Sequence, residues 1–360
     1  MSDSVVIIGA GVVGCAIARE LGARGVLATV IDGRPVGGGA TQASAGMLAP
    51  YVEAHDPGPL RALAIRSLDL YDDWIAAVTL ESAVGIEYRR IGTLEIAFDP
   101  AHAADLRRHT RPAGVVTEWL DADAARLAHP ALGAIAGALM TPTHGYVAAA
   151  QLTAALARAA ERHGATFVRA AVHRIERQGS TWRVSTAAGN WEAQRVVVAA
   201  GAWGGAIAGV PMPPLRPVRG QLLHLGGPSR PLSTIMWGPD CYIVPHADGT
   251  VLVGATVEDA GFDERVTAAG VRDLLDAACE LLPGEWGATF LDARVGLRPA
   301  TPDELPVLGA DSRQPGIFHA SGHYRNGVLL APITAQLIAD LIAEGKTDPC
   351  LDGFRADRFD

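Results

Sequence analysis

The residues best placed to do chemistry stand near the start of the chain. Gly9, Gly11 and Gly14 are spaced G-x-G-x-x-G. The apolar run Val5 to Ile8 precedes them and the alanine-rich stretch Cys15 to Leu21 follows. A second apolar run, Thr29 to Ile31, ends on Asp32. Strand, glycine turn, helix, strand and acid in that order make a dinucleotide-binding unit. A pyrophosphate must approach the backbone closely, and a Cβ at Gly11 would stand in its way. Gly9 permits the tight turn, and Gly14 lets helix and strand pack. The helix N-terminus offers phosphate unpaired N–H groups and the positive end of the helix dipole. Asp32 lies 18 residues beyond Gly14, near the ~20 that sets an acid on the ribose hydroxyls. Its charge would repel a 2′-phosphate, so NADP is disfavoured, while the motif leaves NAD and FAD both open.

The elements that must position this unit can be read from periodicity. Gly37 to Gly46 is a second loop of small and hydroxyl side chains. It suits close approach to a large planar or phosphorylated ligand and is equally compatible with a surface loop. Helices are predicted over 60–80, 101–108, 151–163 and 265–282. Strands are predicted at 166–172, 181–184, 195–199, 218–225, 242–245 and 251–257, with Asp248-Gly249 as a hairpin turn. Tyr88 to Phe98 alternates about Gly92 and reads as a hairpin. A strand at 317–320, a loop at 322–327 and a helix over 328–342, with Pro332 in its first turn, return to the opening pattern. The β-rich block is thus expected as an insertion in an α/β unit. The expected division is 1–85, 145–216 and 296–360 for a discontinuous dinucleotide domain, and 86–144 and 217–295 for a substrate domain.

With 360 residues, 49% hydrophobic and 19% charged, the chain can bury a sizeable core. Thirty basic against 39 acidic residues give a net charge of −9, which argues against a nucleic-acid partner. The four cysteines, Cys15, Cys241, Cys279 and Cys350, form no C-x-x-C pair. That pattern fits a reduced cytoplasm better than a disulfide scaffold or zinc site. His55, His144, His173 and His246 have no metal-ligand spacing, so no metal is expected. Met1 to Ser4 lacks the basic region of a signal peptide, and no segment reads as a membrane span. A cytoplasmic protein is the expectation.

With these pieces in order, the chain resembles the D-amino-acid oxidase superfamily of FAD-dependent oxidoreductases, and within it the bacterial glycine-oxidase (ThiO) type. The likeness covers nearly the whole chain. It is carried by VVIIGAGVVGCAIARELGARG…VID, GGGATQASAGML, VVVAAGAW, CYIVPHADGTVLVGAT, VGLRPATPDELPVLG and ASGHYRNGVLLAP. The resemblance implies FAD rather than NAD, on a Rossmann-like domain with an inserted antiparallel-sheet α+β substrate domain. By position, Gly9, Gly11, Gly14 and Asp32 would hold the ADP half, and Thr41, Ala45, Gly46 and Met47 would lie along pyrophosphate and flavin. Val172 would contact adenine through its backbone. Gly201 belongs to the later strand-turn segment. Gly322, His323, Arg325, Asn326, Gly327 and Val328 would bracket the flavin pyrimidine, with the helix beginning near Val328 aimed at it. Related sarcosine oxidases tether flavin through a cysteine near the segment matching Leu297 to Asp303. No cysteine occurs there, so noncovalent FAD is expected. Pro50-Tyr51 and Asp240 depart from the glycine-oxidase pattern, and both positions are expected at the pocket mouth.

The implied reaction oxidises a small amino acid, glycine first, to its imine and 2-oxo acid, and reduces O2 to H2O2. The imine could supply thiazole synthesis for thiamin. Arg298 is assigned the substrate carboxylate, because a guanidinium offers a planar two-donor fork. Tyr242 would add a hydrogen bond to that carboxylate. Arg325 would contact flavin or substrate. The competing readings are a surface ion pair for Arg298, a core position for Tyr242 and a structural ion pair for Arg325. His323 is expected to pack near the flavin rather than act as a base. Related alternatives are a D-amino-acid oxidase or dehydrogenase and a sarcosine-type amine oxidase. An NAD-dependent reductase and a flavin-binding protein without turnover are the others. A homo-oligomer is compatible with the sequence.

Overall fold

The computed structural model describes residues 5–54, 57–108, 114–227 and 231–359. The signal-peptide reading of Met1 to Ser4 and the reading of His55 lie outside the described residues.

The opening apolar run forms the central strand Val5–Ile8 of a six-stranded sheet. It pairs in parallel with Ala28–Asp32 on one side and Arg195–Val198 on the other. Thr166–Arg169 and Ile317–Ser321 extend the parallel set, and Val307–Ala310 adds an antiparallel edge. Alternation along the strand decides which layer each side chain joins. Val5 and Ile7 pack with the helices Val12–Ala23, Pro59–Ser82, Ala149–Arg162 and Ala331–Ala339. Val6 and Ile8 pack with Ile175, Trp182 and Val184 of a three-stranded meander on the opposite face. The result is a parallel sheet covered on both sides, which is why its strands read as continuous apolar runs.

A second sheet has eight strands, in the order Phe290–Ala300, Arg216–Leu225, Val251–Gly254, Tyr242–Pro245, Ile235–Trp237, Thr93–Ala97, Gly137–Thr141, Glu118–Asp121. The helix Ala268–Leu281 packs Leu274, Ala278 and Leu281 against one face of it. Thr267 caps this helix by accepting the Gly270 N–H at 3.1 Å. Met47–Leu48, Gly145–Val147 and Tyr88–Arg89 form a small third sheet.

Four expectations need correction. Tyr88 to Phe98 is no hairpin: Tyr88–Arg89 pairs with Gly145–Val147, whereas Thr93–Ala97 pairs with Ile235–Trp237 and Gly137–Thr141. The chain passes from one sheet to another at Gly92, whose φ of +75° suits glycine. The strand expected over 166–172 ends at Arg169, and Val172 opens the first strand of the meander. The strand expected over 251–257 ends at Gly254. The last helix begins at Ala331 rather than Val328, which puts Pro332 in its first turn, where the missing N–H has no cost. A tight turn leads into it, with the Leu330 N–H donating to Asn326 O at 2.8 Å.

Candidate active site

One continuous cleft runs along the C-terminal ends of the parallel strands, where ligands of open α/β sheets bind. Of the site residues expected from the sequence, Gly9, Gly11, Asp32, Thr41, Ala45, Gly46, Met47, Val172 and Gly201 line it. So do Tyr242, Arg298, His323, Arg325, Asn326, Gly327 and Val328. Gly14 and Gly322 do not line it, though their chain neighbours Val13, Ser321 and His323 do. A Cβ at Gly14 would overlap the carbonyl O of Gly9, and one at Gly322 (φ +72°) would press on Thr301.

At one end the glycine turn forms a bare cradle. Gly9 has φ +114°, and a Cβ there would overlap Ala199 O. Gly11 has only Thr41 Oγ1, at 3.5 Å, near its Cβ direction. The turn is fixed from outside: Asp32 Oδ2 accepts the Ala10 N–H at 2.7 Å, and Oδ1 accepts the Arg34 N–H at 2.8 Å. Thr41 Oγ1 accepts the Val12 N–H at 3.2 Å, which ties the second glycine loop to the helix start. Gly46 (φ +68°) lets that loop touch the backbone of Val147.

Sequence reasoning missed a clasp over this end. Arg34 forms a bidentate pair with Glu264, at 2.8 and 2.6 Å, and its guanidinium lies 4.0 Å over the Trp203 ring. Trp203 in turn meets Phe262 at 6.2 Å. Arg34 stands 169 positions from Trp203 and 230 from Glu264 in the chain, beyond any local pattern.

At the other end, Arg298 and Tyr242 look into the cleft from the large sheet. Arg298 Nη1 donates to Thr256 O at 3.0 Å and to Arg219 O at 3.3 Å. Among the described residues it makes no ion pair with a carboxylate. Burial pulls its pKa down, yet guanidinium stays charged at any working pH. Tyr242 stacks on Trp237 at 5.5 Å. Burial lifts the Tyr242 phenol to about 12, so it remains a donor. Arg325 pairs with Glu53 at 3.2 Å across the cleft, and Glu53, mostly buried, is a second residue that sequence reasoning missed. Tyr324 has a left-handed backbone (φ 49°), and its N–H donates to Pro299 O at 3.0 Å, tying this loop to the Arg298 strand.

His323 is buried and shares a 3.1 Å hydrogen bond with Thr334 Oγ1. Burial lowers its pKa to about 4, so the ring is neutral. Asp240 lines a groove outside Tyr242 and Arg325, with Asp273, Asp276 and Glu280. Tyr51 is not at the mouth, as expected from sequence, but buried and stacked on His144 at 5.3 Å. Among the described residues no three His, Cys, Asp or Glu side chains group as a metal site. No helix of the described residues is long and apolar enough to cross a membrane.

A doubly covered parallel sheet, a bare glycine cradle and a long cleft ending in cationic and phenolic donors define a dinucleotide-dependent oxidoreductase. The family of FAD-dependent oxidoreductases (DAO) matches residues 4–341, and the chain belongs to it. FAD is therefore its cofactor, and the cradle fits the group: the glycines clear the backbone, Asp32 meets the loop, and the cleft runs on to Arg298. The chain is 38% identical to the bifunctional protein ThiO/ThiG of Nostoc sp., over 99% of this chain and 55% of that protein. It therefore spans about half the length of those bifunctional relatives. It is 36% identical to the glycine oxidase of Geobacillus kaustophilus, over 95% of this chain and 93% of that one. The crystal structure of the Geobacillus kaustophilus enzyme superposes with a TM-score of 0.95, at 35% identity and 98% coverage of both chains.

Proposed function

We propose that the protein oxidises small amino acids, glycine first, at the carbon bearing the amine. The observation that carries this reading is Arg298, a guanidinium with no carboxylate partner among the described residues, set beside the protonated Tyr242 at the end of a dinucleotide cleft. A substrate carboxylate supplies the missing charge, and the fork of Arg298 orients it. When bound, FAD supplies the two-electron acceptor and passes the electrons to O2, giving H2O2.

The chain's own residues hold and orient. Gly9, Gly11, Gly14 and Asp32 receive the ADP half, with Val172 and Gly201 beside it, and Thr41 lies along the pyrophosphate. Ala45, Gly46 and Met47 line the middle. Gly322, His323, Arg325, Asn326, Gly327 and Val328 frame the far end. The neutral His323 is held by Thr334. Hydride can leave the α-carbon only as the nitrogen lone pair forms the imine, so the substrate amine reacts in its unprotonated form. Residues 1–85, 145–216 and 296–360 serve the cofactor, and 86–144 and 217–295 the substrate, with the strand Phe290–Ala300 carrying Arg298 between them.

The relatives that join ThiO to ThiG favour a role in which the imine is handed on, and supply to thiazole synthesis for thiamin is our reading. The protein then works in the cytoplasm on small molecules and O2, as a single chain or a homo-oligomer. The test is anaerobic addition of glycine to the yellow holoprotein, followed by a peroxide assay with glycine, sarcosine, D-alanine and D-proline. Bleaching by glycine and peroxide on admitting air are expected. A flavin that glycine leaves oxidised overturns the reading.

A further inference from the structure

Gly220 lies inside the ten-residue strand Arg216–Leu225. Glycine weakens a strand interior and there often marks the close approach of another group. Its backbone is not left-handed, so no turn requires it. What it meets is Arg298. A Cβ built on Gly220 would overlap Nη1, Nη2 and Cζ of that guanidinium. Register explains the encounter. Arg298 pairs with Val218 and Gly296 with Gly220, so residues 298 and 220 are diagonal neighbours on one face. The guanidinium lies over the Gly220 backbone and donates to the carbonyls that flank it, Arg219 O and Thr256 O.

We propose that Gly220 is a positioning residue for substrate recognition: the absent side chain is the seat that aims Arg298 into the cleft. The inference rests on the reading of Arg298 as the carboxylate clamp. The three atoms nearest a methyl group at 220 all belong to the free end of the Arg298 side chain, so the strand survives and the guanidinium is pushed off its two carbonyls. Gly254 shows the contrast. A Cβ there would overlap Tyr242, but that ring is held by its stack on Trp237. Gly220 therefore offers the cleaner test.

The experiment compares holoenzyme of wild type, Gly220→Ala, Arg298→Ala and the double variant, with flavin content checked by absorbance. KM and kcat for glycine are measured, with Kd for glycolate, a carboxylate without an amine, from tryptophan fluorescence. Gly220→Ala is expected to raise the glycine KM and the glycolate Kd by about tenfold or more, the scale for misplacing a charged contact. Its flavin content and Tm should stay near wild type. Because both changes remove one device, the double variant should bind glycolate no more weakly than Arg298→Ala alone. Wild-type glycolate binding by Gly220→Ala overturns the seat and leaves the clamp standing, as do losses that multiply in the double variant. Unchanged glycolate binding by Arg298→Ala overturns the clamp itself and the seat with it. If Gly220→Ala does not yield folded protein, removing the guanidinium should make room for the methyl and restore the double variant. A double variant that also fails to fold overturns the proposal.

Discussion

Asp32 closes on the glycine turn: its Oδ2 accepts the Ala10 N–H at 2.7 Å while Oδ1 accepts the Arg34 N–H at 2.8 Å. One carboxylate thus joins the end of its strand to the glycine turn and to the turn that follows it. It retains acceptor capacity for ribose hydroxyls, because a carboxylate offers about four lone-pair sites. Asp32→Ala takes away the proposed ribose contact together with the two hydrogen bonds that hold the turn. FAD affinity should fall by about 1–3 kcal/mol, the scale for a hydrogen bond to a charged group. Fluorescence titration of apoprotein with FAD measures it, and wild-type affinity would take Asp32 out of the ribose role.

Noncovalent FAD is the second prediction. The segment Leu297 to Asp303 has no cysteine. None of the four cysteines lines the cleft, and Cys15, Cys241 and Cys279 are buried. Acid precipitation should release all yellow colour to the supernatant. Colour retained in the washed pellet would show a covalent link.

The glycine turn was legible in the sequence because the residues that mark it are local. Gly9, Gly11, Gly14 and Asp32 fall within one strand–helix–strand unit, and their spacing alone encodes the turn. The substrate end was legible only by likeness. Arg298 and Tyr242 face one another through intervening strands at Gly220 and Gly254, a register that no local pattern states. Glu53 and the Arg34–Glu264 clasp were missed for the same reason: ion pairs of long sequence separation leave no periodicity. Gly92 misled because alternation on both sides of a glycine looks alike whether the chain turns back or crosses to another sheet.

The third prediction concerns His323. Burial lowers its folded-state pKa from 6.5 to about 4. Between those values the unfolded chain binds a proton that the folded chain does not. Stability is therefore fully present above pH 6.5 and is lost as pH falls toward 4, by roughly 3 kcal/mol for the whole shift. His129, also lowered by burial, adds to the same slope. Urea midpoints from pH 7.5 to 4 in wild type and His323→Asn separate them. The variant should show a flatter dependence across that window, and an unchanged slope would mean that His323 titrates normally.

The last prediction tests the clamp. Arg298 donates to two carbonyls and, among the described residues, to no carboxylate, so its charge awaits a partner. If that partner is the substrate, Arg298→Ala leaves a carboxylate desolvated and unpaired. The loss in transition-state binding should be about 2–5 kcal/mol, the range for breaking a buried charged pair. That is tens- to thousands-fold in kcat/KM for glycine. Lysine should rescue only in part, since it restores charge without the fork. Tyr242→Phe removes one neutral donor and should cost about 0.5–1.5 kcal/mol. FAD content should hold in all three variants, because Arg298 and Tyr242 are assigned to substrate. A simple alkylamine has no carboxylate to strand, so its kcat/KM should fall much less. The measurement is kcat/KM for glycine and for the alkylamine in wild type and Arg298→Ala, with flavin occupancy checked first. Equal losses on both at full occupancy would give Arg298 a structural role and remove the clamp.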